Sequence, residues 1–304
     1  MASAALDERA EAAPGALGRA RPIESPARRA IRRFLRHRVA VTGLVLLAVI
    51  AVLAIFAPLV GSYNPTEIDL RARNQGPSLA HWFGTDRTGR DTFARTVYAG
   101  RISLAVGVAA VAISASIGAL LGAVAGYFGG FADGLIMRFT DVIMTFPAIV
   151  IILTAAAIVG PGLVNTILII GLLGWPTPCR LVRARFLSLR DQEFIQAARA
   201  LGAPTPAIIV RHAFPNCLDV LIVYASLGVA TAILLEAGLS FLGLGIQPPT
   251  PSWGNLLNVA RDVSVLENQP WQWMPAGAAI VLTVLAVNFI GDGLRDALDP
   301  RAVS

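Results

Sequence analysis

No charged side chain occurs from Val39 to Thr66, from Ile102 to Ala132, or from Val142 to Cys179. A helix needs about 20 apolar residues to cross the hydrocarbon core of a bilayer, and each of these runs exceeds that length. They predict spans near 39–61 and 103–127, and Gly160-Pro161-Gly162 divides the third run, as a tight turn, into spans near 137–159 and 163–180. Two more apolar segments, near 218–242 and 274–294, bring the total to six. Composition agrees: the 304 residues are 55% hydrophobic and 14% charged, with a mean hydropathy of +0.66. That balance disfavours both a disordered chain and an ordinary cytosolic enzyme. The expected fold is all-α, a polytopic membrane protein with six transmembrane helices.

All 25 basic residues are arginine. Without lysine there is no phosphate-loop lysine, no Schiff base and no lysine general base. The arginines also orient the chain. Nine precede the first span; with the N-terminus inside, Arg138, six arginines from Arg180 to Arg211, Arg295 and Arg301 join them there, against seven outside. That bias predicts both termini on the cytoplasmic side. The external 62–101 loop holds six arginines but a net charge of only +2, because Glu67, Asp69, Asp86 and Asp91 oppose them. The Arg-rich N-terminal tail runs straight into an apolar segment, with no aromatic-basic surface of the kind that binds nucleic acid. It reads as a topology signal before an uncleaved anchor, with residues 1–27 poorly ordered. Cys179 and Cys217 fall near the cytoplasmic face, where reduced thiols are expected.

Three loops carry the informative patterns. Between spans four and five, residues 181–217 read LVRARFLSLRDQEFIQAARALGAPTPAIIVRHAFPNC. Small residues at Ala197, Ala198 and Gly202 permit close approach by another protein, and Pro204 and Pro206 bend the chain ahead of an amphipathic segment at Ile208–His212. A helix, turn and second helix along the membrane would make a docking knob; an ordinary solvated loop is the alternative. Outside, Gly84-Thr85-Asp86 and Gly89-Arg90-Asp91 read as turn and capping chemistry ahead of an interfacial helix. The third stretch, ILLEAGLSFLGLGIQPPTPSWGNLL at 233–257, lies at the outer end of span five.

The segment QAARALG…RHAFPN resembles the EAA motif of ABC-importer permeases, which sits in a cleft of the cytoplasmic ATPase. The match holds at Ala197, Ala198, Gly202 and Pro215, while Gln196 replaces the family's Glu and Phe214 its Leu. The 81–104 stretch, the 233–257 stretch and GDGLRDALDPR at 291–301 resemble the C-type permeases of dipeptide, oligopeptide and nickel importers. The resemblance covers about residues 30–301 and implies a type I ABC importer permease fold. It divides the chain into a cytoplasmic tail (1–38), an anchor helix (39–61), an external loop with an interfacial helix (62–102), a five-helix core (103–295) with the coupling segment 193–216, and a short tail (296–304).

By that resemblance the chain is a non-catalytic subunit of an ATP-driven importer in the bacterial inner membrane, forming half of a pathway for short peptides. Nickel chelates, glutathione and haem are alternative cargoes. The implied partners are a second, B-type permease, two ATPases that hold ATP and Mg2+, an extracytoplasmic substrate-binding protein and the lipid itself, with no nucleic acid and no cofactor in this chain. The coupling residues would be Glu193, Gln196, Ala197, Ala198, Gly202, Ala203 and Pro215, and the external signature Gly84, Thr85, Asp86, Gly89, Arg90 and Asp91.

Polar residues within spans are costly and mark interior or watery positions. Glu236, Asn288 and Asp141 are therefore candidates for the translocation path, with helix pairing or capping as the competing role. Gly118, Gly122 and Gly126 recur every four residues and predict a close-packing face. His37, His81 and His212 share no ligand spacing, and no metal or nucleophile motif occurs, so a membrane-embedded enzyme has no machinery. A self-sufficient secondary transporter would need coupling-ion residues and a matching inverted half, and neither is apparent.

Overall fold

The computed structural model describes residues 26–298, and secondary structure among them is helical, apart from one isolated bridge between Thr85 and Asp91. Expectations for residues 1–25 and 299–304, which include Arg9, Arg19, Arg21 and Arg301, lie outside the described residues.

Helix α1 (Pro26–Arg36) leads into α2 (Arg38–Ile55), where His37 caps the start by accepting the Ala40 N–H at 3.1 Å. A one-turn α3 (Ala57–Val60) follows. After an irregular segment comes α4 (Thr92–Phe128), 37 residues long. The interfacial helix expected before span two is thus no separate element; it is the first turns of α4, and the span begins eleven residues before the expected Ser103. Arg95 and Arg101 lie within this helix because both spend their charge locally. Arg101 Nε donates to the Ala54 carbonyl at 2.6 Å and a second nitrogen donates to the Ile55 carbonyl, closing the open end of α2.

The third span is not straight. Helices α5 (Gly130–Thr145) and α6 (Ala148–Val159) meet at Phe146-Pro147 with a bend of 84°. Pro147 has no N–H to donate and pushes Phe146 out of the helical region, so the break sits where proline dictates. Helices α7 (Leu163–Leu173) and α8 (Pro176–Arg190) together form the fourth span, ten residues longer than the expected 163–180. Next come α9 (Glu193–Ala200) and the short α10 (Thr205–Ala207), which continues through a π turn and a 3-10 turn into α11 (Leu218–Phe241). Two short helices, α12 (Trp253–Leu257) and α13 (Val263–Asn268), precede α14 (Met274–Leu298). Among the described residues five helices are long and apolar enough to cross a membrane, and counting the bent pair as one span gives six.

In lipid, association depends on close packing rather than on hydrophobic exclusion. The glycine ridge of α4 provides it. A Cβ on Gly122 would stand 2.5 Å from the Cys179 carbonyl oxygen, and one on Gly118 would stand 2.8 Å from the Trp175 carbonyl oxygen. Backbone therefore touches backbone where α4 crosses α8, on the face the glycine spacing predicts. Arg183 of α8 also grips Asp133 of α5 with two parallel hydrogen bonds, one of them 2.6 Å. His37 lies 3.5 Å from Asp296, so the first and last described helices end on one face. The opposite face collects residues 56–91 and 242–273, where Gln272 donates to Asn74 at 3.0 Å and Trp271 to the Thr85 carbonyl at 3.3 Å.

Candidate functional site

On the face where α1 and α14 end, α9 and α10 form a knob held from within. Ile195 is 1% exposed and Ile208 1%, and they share a core with Val182, Phe186, Ala213 and Cys217. Ala198, Ala203 and Phe214 pack around its edge. The outer surface is the reverse: Glu193, Gln196, Ala197, Gly202 and Pro215 are exposed, and Leu201 is 87% exposed. Gln196 donates to the Asp191 carbonyl at 3.2 Å, so its carboxamide braces the start of α9.

Gly202 ends α9 with φ +78°, a conformation that side chains disfavour. The Ala203 N–H donates to the Ala198 carbonyl at 3.1 Å and the Gly202 N–H to the Arg199 carbonyl at 3.0 Å, which together make a Schellman cap. The turn fixes the angle between α9 and α10, and open space surrounds the missing Cβ. The arrangement is a rigid, partly apolar projection with a small-residue surface, suited to transmitting a push.

On the opposite face the signature residues 84–91 build a cap for α4. Asp91 Oδ1 accepts the Ala94 N–H at 2.7 Å while its other oxygen meets His81 Nδ1 at 2.9 Å. Burial pushes the Asp86 carboxyl up, but the Thr88 hydroxyl, the Arg90 guanidinium and the backbone N–H groups of Arg90 and Thr88 outweigh it and hold it below its ordinary value. Gly89 has φ +79°, and a Cβ there would collide with the Asp69 carbonyl. Thr85 accepts the Gln75 N–H at 2.9 Å and donates to the Ala72 carbonyl; Gly84 is pressed between Gln75 and Trp271. All six signature residues thus come together as one structural unit.

A cavity of about 950 Å³ lies between α4, the α5–α6 break, α7–α8 and α11. Its wall is mainly apolar, with Phe146 and Pro147 at the break and Leu227 on α11; Ser114 and Tyr224 add hydroxyls, 3.4 Å apart. Asp219 and Arg295 also line it. None of the three candidate path residues does. Glu236 is fully buried, accepting hydrogen bonds from Ser103 at 2.9 Å and Ser240 at 2.8 Å. Asp141 pairs with Arg180 at 2.5 Å on the surface, and Asn288 is half-buried in α14. Most of the cavity residues are ordinary apolar side chains, which carry no signal in the sequence, whereas Pro147 at the break does. Among the described residues no group of three His, Cys, Asp or Glu side chains could hold a metal.

Among the described residues, five long apolar helices, one bent helix pair and a projecting helix-turn-helix on the face where α1 and α14 end fit a membrane permease subunit. The match to known families agrees. Residues 118–304 match the family described as binding-protein-dependent transport system inner membrane component, and residues 25–77 match the N-terminal transmembrane domain of oligopeptide transport permease C. The chain belongs to the binding-protein-dependent transport system inner membrane component family, and is a multi-pass inner-membrane ABC importer permease. It is 52% identical over 277 residues to a putative peptide permease protein of Brucella suis, covering 91% of this chain and 92% of that one. It is 45% identical over 280 residues to a dipeptide transport system permease protein of Alkalihalophilus pseudofirmus, covering 92% and 91%. It is 43% identical over 296 residues to a glutathione transport system permease protein of Escherichia coli, covering 96% and 97%.

Proposed function

We propose that this subunit forms half of the pathway by which an ATP-driven importer takes up short peptides. The relatives' names support that cargo: two specify peptides or dipeptides, and glutathione is itself a tripeptide. The arginine bias supports an orientation with α9–α10 and both termini in the cytoplasm and the capped face with residues 242–273 outside. A second permease completes the pathway, and an external binding protein delivers the cargo.

Two cytoplasmic ATPases, which hold ATP and Mg2+, dock on Glu193, Gln196, Ala197, Ala198, Gly202, Ala203 and Pro215. The observation that carries this reading is the contrast within α9, where Ile195 is anchored in the core while Gln196 and Ala197 lie exposed. A docked ATPase that moves must then move α8 and α11 as well, because Val182 and Leu221 share the core of Ile195. Rigid-body motion of this kind is how a local contact becomes alternating access. Glu236 holds the outer end of α11 to α4 during that movement, and Asn288 and Asp141 remain proposed positions toward the path or the second permease.

The test is affinity purification of the tagged chain from native membranes in mild detergent, with mass spectrometry of what is retained. A second six-span permease and ATPase subunits are expected. A chain that comes out alone yet transports would overturn the reading.

A further inference from the structure

The outer face holds a second, much smaller cavity of about 80 Å³. Arg87, Arg90, Arg95 and Thr92 line it from one segment, and Asn258 and Gln272 from the other. Two buried side-chain atoms among the described residues have no hydrogen-bond partner: Thr92 Oγ1 and Gln272 Oε1. Thr92 is 2% exposed and Gln272 3%, and both residues face this one cavity. Buried polar atoms are almost always paired, so two orphans converging on one space point to a polar occupant.

Charge narrows what that occupant is. Three guanidinium groups line the cavity against a single carboxylate, Asp86. Asp86 is already engaged: it accepts from Arg90 Nε at 2.7 Å and from the Thr88 hydroxyl at 2.7 Å, and it lies 3.8 Å from Arg95 Nε. The cavity therefore favours an anion, and planar guanidinium forks match a carboxylate. Gln272 adds a different demand. Its Nε2 donates to Asn74 Oδ1 at 3.0 Å and to Gln269 Oε1 at 2.5 Å, which leaves Oε1 as an acceptor that needs a donor. A bare carboxylate would leave it unsatisfied. An amide N–H next to a carboxylate satisfies both demands, and that pairing is the C-terminal unit of a peptide.

We propose that this cavity binds the C-terminal end of a peptide, with the carboxylate on Arg87, Arg90 and Arg95 and the last amide N–H on Gln272 Oε1. The Thr92 hydroxyl supplies a further donor to the carboxylate. The volume admits one small residue, so the rest of the peptide lies outside it. The inference deepens, and rests on, the reading of this subunit as a peptide permease.

The test uses the importer complex with the full-length chain in nanodiscs, without its binding protein. N-acetylglycine is titrated by calorimetry, with N-acetylglycinamide and acetate as comparisons. N-acetylglycine is expected to bind saturably and at least about tenfold tighter than either comparison. Thr92→Val, which removes a hydroxyl with no partner in the fold, and Arg87→Ala, at an exposed position, should each weaken binding about tenfold. Equal binding of the amide, or unchanged affinity in both variants, would overturn the proposal. Equal binding of acetate would also overturn it, and would assign the site to an acidic side chain of a docking protein. Uptake of a labelled dipeptide by the complete importer is measured in parallel. Uptake without N-acetylglycine binding removes the cavity assignment alone, whereas failure of dipeptide uptake removes the reading beneath it.

Discussion

Ser103 and Glu236, 133 positions apart, are joined inside the bundle by a hydrogen bond of 2.9 Å from the Ser103 hydroxyl to the Glu236 carboxylate. The same serine oxygen accepts the Trp253 N–H at 3.1 Å, and the Ser240 oxygen, also donating to Glu236, accepts the Ile246 N–H at 3.0 Å. One carboxyl thereby fastens α4, α11 and the start of the 246–257 segment together. Each hydroxyl thus bridges Glu236 to a backbone N–H of the 246–257 segment.

Glu236→Ala leaves two buried hydroxyls without an acceptor, and a loss of about 2–4 kcal/mol is expected at about 1–2 per group. Glu236→Gln keeps the volume but turns one acceptor into a donor facing another donor, so it should destabilise by a smaller amount. Thermal unfolding in detergent should rank wild type above Glu236→Gln and Glu236→Gln above Glu236→Ala. A Glu236→Ala protein as stable as wild type would remove the fastening role.

The α4–α8 contact predicts a contrast between two glycines. A methyl at Gly122 meets the Cys179 carbonyl at 2.5 Å, whereas one at Gly134 meets nothing within 4 Å. Gly122→Ala must separate two backbones and should cost about 1–3 kcal/mol or more. Gly134→Ala lies in α5 and should stabilise by about 0.5–1 kcal/mol through helix propensity. Melting temperatures of the two purified variants, moving in opposite directions, check the pair.

Acid should loosen the outer cap through Asp86. Its folded-state pKa lies below the unfolded value, so the carboxylate's contribution is fully present above about pH 4 and is lost as pH falls through the depressed folded value. Asp86→Asn should lower stability at neutral pH by about 2 kcal/mol and flatten the acid limb of the stability profile. An acid limb identical to wild type would show that Asp86 carries none of it.

The sequence displayed the spans because lipid forbids charge, and charge-free runs are visible without any tertiary knowledge. It displayed the glycine ridge for the same reason, since the four-residue spacing is local. What it hid depends on distant partners. Arg101 looked like a loop residue until its carbonyl partners on α2 were known. The break at Phe146-Pro147 is written in a proline, but the stretch 137–159 around it reads as one continuous span. Gln272 gave no signal at all, because its meeting with Asn74 joins segments 198 positions apart. Glu236 stood out as a polar residue in a span, yet its serine partners come from α4 and from its own next turn. The coupling segment was legible as a motif, and its Schellman turn follows from Gly202.

That turn offers the most direct test of the account. Gly202→Trp forces a side chain into a left-handed backbone position, at a cost of about 1–2 kcal/mol, on the exposed surface proposed to meet the ATPase. The measurement is ATP-driven uptake of a labelled dipeptide into proteoliposomes holding the complete importer, with ATP hydrolysis followed in the same vesicles. The account predicts that the variant inserts and folds, that hydrolysis is uncoupled from transport, and that uptake falls to background. Undiminished uptake by Gly202→Trp would contradict it.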